Sequence, residues 1–91
     1  MYVDLERFLY YVDLAFPNLD KTIISNIKAG RRAIPDHVII GTLNYMVDRP
    51  CSYLIPDFYH FALDFNFQRK NNHLSKCLKY YRDWMADLND N

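Results

Sequence analysis

The chain has 91 residues, its 11 Lys plus Arg are balanced by 11 Asp plus Glu, and 51% of it is hydrophobic. That length suits one domain with one core, and the apolar share excludes a disordered chain. Zero net charge and two cysteines exclude a protein that grips nucleic acid or membrane by overall charge, and equally a disulfide-stapled scaffold.

Glycine is scarce and helical periodicity dominates, so an all-α fold is expected, a compact bundle of about five short helices in a single domain over residues 1–91. Leu5, Phe8, Leu9, Val12 and Phe16 recur at helical spacing behind Asp4, which is placed to cap them. Pro17-Asn18 ends that helix, because a proline disfavours helix in the residue before it. Asp20 caps a second helix over 21–29, closed by Gly30. A third helix opens at Pro35-Asp36, with Pro35 in its first turn and Val38, Ile39, Leu43, Met46 and Val47 on one face. Asp48-Arg49-Pro50 breaks the chain, and Ser52 begins a short turn. Pro56-Asp57 starts a fourth helix through about Phe65, with Asp57, like Asp36, expected as a cap. A polar stretch over 66–72 leads to a last helix over 73–88 carrying the stripe Leu74, Cys77, Leu78, Tyr81, Trp84, Met85 and Leu88.

No apolar run reaches the roughly 18 residues of a membrane span. Asp4 and Glu6 stand where a secretory leader carries positive charge. The expected setting is the cytoplasm, with no membrane partner.

The chain has eight Tyr, six Phe and one Trp, several of them in the aromatic-rich C-terminal half, about 50–88. A stacking platform for single-stranded nucleic acid interleaves aromatics with cations, whereas Asp57 and Asp64 flank this stripe. Core packing or a dimer contact fits better, and Tyr53, Phe58 and Tyr59 are the candidate dimer or partner surface. His37, His60, His73, Cys51 and Cys77 lack the spacing of a zinc site, so neither metal nor cofactor is expected. Cys77 reads as a small buried hydrophobe. The carboxylates are scattered at helix starts, and neither a phosphate-binding loop nor a Ser/His/Asp pattern occurs. The chain is not expected to be an enzyme.

The most specific stretch runs from Leu19 to Pro35. Ile24 and Ile27, three apart, are expected to face the core, with Ile23 outward. Lys21, Thr22, Ser25 and Asn26 then project from the N-terminal half of the helix, where short polar side chains suit contact with base edges in a major groove. Lys28, Arg31 and Arg32 follow where the chain leaves the helix, suited to phosphate contact. Between Lys21 and Pro35 those four cations meet no acid, so zero net charge conceals a local basic patch. The same three cations also suit a solvated helix C-terminus that complements the helix dipole, and paired isoleucines with a glycine cap occur in many small helical proteins.

The capping Asp20, the Ile24-Ser25-Asn26-Ile27 core, Gly30, the basic pair and Pro35 together resemble the recognition helix and following turn of the phage repressor and Cro-type helix-turn-helix family. The resemblance covers about residues 8–48 and is specific over 19–35. Leu14 stands where the family prefers a small residue, Pro17 where it has an aliphatic one, and Asn18 where it prefers glycine. A helix-turn-helix-like unit over about 8–32 is what this likeness implies. It also implies a small sequence-specific DNA-binding regulator that recognises double-stranded operator DNA as a homodimer. The alternative is a small helical protein that binds and modulates a host protein without touching DNA, favoured by neutral charge, abundant Tyr and Phe, and an outward Ile23.

Overall fold

The computed structural model describes residues 3–68 and Asp83. The described residues form four α-helices and one 3-10 helix, with no strand: α1 (Leu5–Ala15), α2 (Lys21–Lys28), α3 (Asp36–Met46), the 3-10 helix (Pro50–Leu54) and α4 (Ile55–Phe67). The expected helix over 73–88, with its stripe, lies outside the described residues, except that Asp83 is helical and exposed.

Local chemistry explains where α1 and α2 begin and end. Asp4 Oδ1 accepts from the Arg7 backbone N–H at 2.8 Å, satisfying one of the donors that a helix start leaves without an intrahelical partner. Phe16, held out of the helical region by Pro17, adopts φ −132° and ψ 71° and terminates α1. Asp20 repeats the capping device on Thr22 at 2.8 Å. At the far end of α2, Gly30 takes φ 75°, a left-handed conformation that costs glycine nothing. Its N–H donates to Ile27 O at 3.0 Å, and the next N–H, of Arg31, reaches back to Asn26 O at 2.9 Å. This pair of bonds is the Schellman closure of a helix.

The later boundaries correct the expectation in detail. Pro35 is the residue before α3 rather than part of its first turn, and Asp36 makes no side-chain cap. Asp57 likewise lies inside the first turn of α4, which already starts at Ile55. The short turn at Ser52 is the 3-10 helix, with Pro50 at its first position. Asn66, expected in a polar linker, is inside α4 and 5% exposed.

The helices assemble around α3. It packs on α1, on α4 and on the 3-10 helix, and Val38, Ile39, Leu43 and Met46 are fully buried. Val47, expected on that stripe, is exposed, while Thr42 takes a buried place instead. Its hydroxyl donates to Val38 O at 2.7 Å, which removes the cost of burying it. Aromatic rings fill the space between α1 and α4. Phe8 and Phe58 stack at 5.5 Å and 29°, and Tyr11 meets Phe58 edge-on at 5.1 Å. Phe58 and Tyr59 are therefore core, so neither offers a dimer surface in this conformation; of the three candidates, Tyr53 is at the surface, 67% exposed.

One contact fixes the end of α1 on α3. A Cβ built at Gly41 would collide with the Phe16 ring at Cζ and Cε2, and the same ring meets His37 edge-on at 6.3 Å. Gly41→Val must therefore eject the Phe16 ring. Thermal unfolding should show a loss of about 1–3 kcal/mol, the usual scale of overpacking, despite the relief of replacing glycine in mid-helix. Unchanged stability would show that the Phe16 ring does not seat on α3.

Candidate nucleic-acid interface

Among the described α-helices α2 is the least embedded: of its residues Ile27 alone is buried. Ile23 and Ile24 are half-buried and both pack on the core cluster. The expected division, with Ile24 inward and Ile23 outward, is thus replaced by a stripe centred between them. The physical reason is that Ile23 and Ile27 are spaced one turn apart, so burying Ile27 carries Ile23 with it. Leu14, where the family prefers a small residue, stays at the surface and is 42% exposed.

Turning this stripe inward sends the polar residues to solvent. Lys21, Thr22, Ser25, Lys28, Arg31 and Arg32 are all exposed, and Asn26 is half-buried. Lys21, Ser25 and Lys28 follow one another at helical spacing. With Arg31 they line one side of a groove of about 620 Å³, whose other side is the turn after α1, chiefly Phe16 and Leu19. Ile24 contributes to the floor, and Asp13 is the one acid among the lining residues. Thr22 and Arg32 lie outside this groove, and the Arg32 Nε donates to the carbonyl of Ala33 at 3.2 Å.

Asn26 has a partner that its sequence position did not reveal. Its Oδ1 accepts from Arg31 Nε at 2.8 Å, alongside the backbone bond from Arg31 N to Asn26 O. Two parallel links therefore hold Arg31 against the end of α2, and they aim its guanidinium. A hydrophobic contact frequently accompanies a Schellman closure; this chain uses an Asn–Arg pair instead.

The segment after α2 is anchored from a distance. Ile34 is fully buried; its N–H donates to Asn66 Oδ1 at 2.7 Å, and its carbonyl accepts from Asn66 Nδ2 at 3.0 Å. The α4 carboxamide thus mimics a strand neighbour and sets the path of the chain past Arg31 and Arg32. Asn66 reads in sequence as linker polarity, and no spacing rule marks it.

A second groove, of about 730 Å³, lies between the other end of α1 and the 3-10 helix. Tyr10 and Tyr53 stand exposed on it, with Tyr11 and Cys51 deeper and Asp4, Glu6 and Arg7 around them. The Tyr11 phenol is pushed above its ordinary value, first by burial and then by the neighbouring Cys51 thiol. Among the described residues no cluster of His, Cys, Asp and Glu is arranged to hold a metal ion. No helix among them is long and apolar enough to cross a membrane. No protein-family model, curated protein or solved structure matches the chain.

Proposed function

We propose that the protein is a small sequence-specific DNA-binding transcriptional regulator of the phage repressor and Cro type, with α1, the turn and α2 serving as its helix-turn-helix. The observation that carries this reading is α2 itself. It is capped at both ends, tied to the core by one isoleucine stripe, and lined on its exposed flank by Lys21, Ser25 and Lys28 with Arg31 beyond. In this reading Lys21, Thr22 and Ser25 meet base edges in the major groove of double-stranded DNA. Lys28, Arg31 and Arg32 contact phosphates. Asn26, with its carbonyl engaged, acts on DNA through Arg31 rather than by reading a base. Palindromic operators bring two such helices together, so the working form is a homodimer.

Electrophoretic mobility shift at several salt concentrations tests the assignment. Replacing Arg31 and Arg32 together by Ala should weaken binding and flatten the dependence of log K on log salt by about 0.9 for each phosphate no longer neutralised. An unchanged slope removes both residues from the phosphate-binding set. No shift with the parent protein, even at low salt, rejects DNA binding altogether.

Asn26→Ala separates positioning from base reading. A residue that aims Arg31 lowers affinity for operator and random duplex by the same factor, whereas removing a base-reading group relaxes discrimination at one position, by about 1–3 kcal/mol. Equal weakening on both duplexes is expected. A selective loss on operator would return Asn26 to the reading face.

A further inference from the structure

The exposed flank of α2 has a feature that phosphates and base edges do not call for. Its cations stand above an apolar floor. Phe16, Leu19 and Ile24 are each half-buried, packed on the core from one side and facing the groove with the other. Pro17 adds an exposed apolar edge. The volume, about 620 Å³, falls within the roughly 300–1,000 Å³ of clefts that hold ligands. Along α2 the distance from Lys21 to Lys28 is about 10 Å, two helical turns. That length accepts two or so side chains from a docked segment, spaced one turn apart.

Charge narrows the occupant. Lys21, Lys28 and Arg31 rim the groove against the single carboxylate of Asp13. Because Asn26 holds Arg31 at Nε, an incoming carboxylate is met by the Nη edge of the guanidinium, a charge-assisted contact. A nucleic acid would satisfy the rim, yet beyond thymine methyl groups it has nothing apolar to place on Phe16, Leu19 and Ile24. A purely apolar segment would leave the rim without anions.

We propose that this groove is a docking site for an acidic amphipathic peptide segment of a protein partner. Its aliphatic or aromatic side chains cover the floor, and its carboxylates meet Lys21, Lys28 and Arg31, in the manner of a helix laid in a groove. The assignment does not depend on DNA binding. Where both occur, the two ligands compete for the same cations, and the partner is an antagonist of the DNA-bound state.

Fluorescence polarisation on the full chain tests it. The probe is a labelled synthetic helical peptide with Glu on one flank and Leu and Phe on the other. The expected result is micromolar binding that weakens at least about tenfold, or 1.4 kcal/mol, in two separate controls. One is Lys28→Glu in the protein, an exposed site whose replacement leaves the core intact. The other replaces Leu and Phe of the peptide by Ser, which cannot affect protein folding. Failure of the acidic peptide to bind overturns the proposal. So does a Ser-substituted peptide that binds as tightly as the original, since the site would then read charge alone. A Lys-bearing peptide of the same apolar pattern binding equally well also overturns it. A protein that shifts DNA but binds none of the peptides overturns the groove assignment while leaving the DNA reading standing.

Discussion

Phe58→Ala should destabilise the protein by about 3–5 kcal/mol, the range for deleting a buried aromatic ring. The ring is fully buried, stacked on Phe8 at 5.5 Å and capped edge-on by Tyr11 at 5.1 Å. Its removal forfeits burial, two ring–ring interactions and the packing between α1 and α4. For a chain of this length stability on the order of 5–10 kcal/mol is typical, so the variant should lose about a third or more of its margin and unfold at a clearly lower urea concentration. Urea unfolding followed by circular dichroism measures this directly. Phe58→Leu should lose less, because it keeps most of the volume. Tyr53→Ala, at an exposed ring, should stay within about 0.5 kcal/mol of the parent. If Phe58→Ala instead kept its stability and altered self-association, the aromatic half would be a surface after all.

Asn66→Leu should remove about 2–4 kcal/mol, although it increases apolar content in the core. The reason is what it leaves behind. The Ile34 N–H and C=O, bonded to Asn66 at 2.7 Å and 3.0 Å, become buried groups without partners, each costing about 1–3 kcal/mol. Asn66→Asp gives a sharper result. The ionised carboxyl still accepts from the Ile34 N–H, but it opposes the Ile34 carbonyl with a second acceptor and places a charge in a dry site. Protonated, the same carboxyl regains a donor. Burial and the carbonyl raise its folded pKa above the unfolded value. The stabilisation is therefore fully present below the unfolded carboxylate pKa and is lost as pH rises through the folded one. Relative to the parent, Asn66→Asp should be least impaired in acid and most impaired near neutral pH. A difference from the parent that does not vary with pH would mean that the carboxamide clamp is not formed.

Both predictions concern residues whose role one-dimensional pattern reaches only in part. Phe58 is legible as apolar and helical, but a stripe of Tyr53, Phe58, Tyr59 and Phe61 has no label for which ring faces a neighbouring helix and which faces water. Asn66 is legible only as polar, and polarity predicts loops more often than it predicts a buried clamp. The same limit applies at Asn26, where a short amide on an outward turn reads as a base contact. Its occupation by Arg31, five positions on, follows from the left-handed Gly30 that folds the chain back. Gly41 carries no signal at all, since its meaning lies in the ring of Phe16, the residue that ends α1.

What required no third dimension was everything governed by neighbours along the chain. Asp4 and Asp20 sit where a helix start lacks partners, Pro17 stops α1 through its own steric bulk, and Gly30 supplies the one conformation that closes α2. These are local rules, acting over a turn or less, and they account for the all-α character of the described residues; the acid-free cationic segment from Lys21 to Arg32 is read directly from the sequence. The assembly of those helices settled the rest, because burial is decided by distant surfaces competing for the same apolar area. It turned Ile23 inward with Ile27, drew Phe58 and Tyr59 into the core, and carried Asn66 to Ile34. It also set the turn after α1 beside α2, so that cations spread along the sequence now rim a single apolar groove.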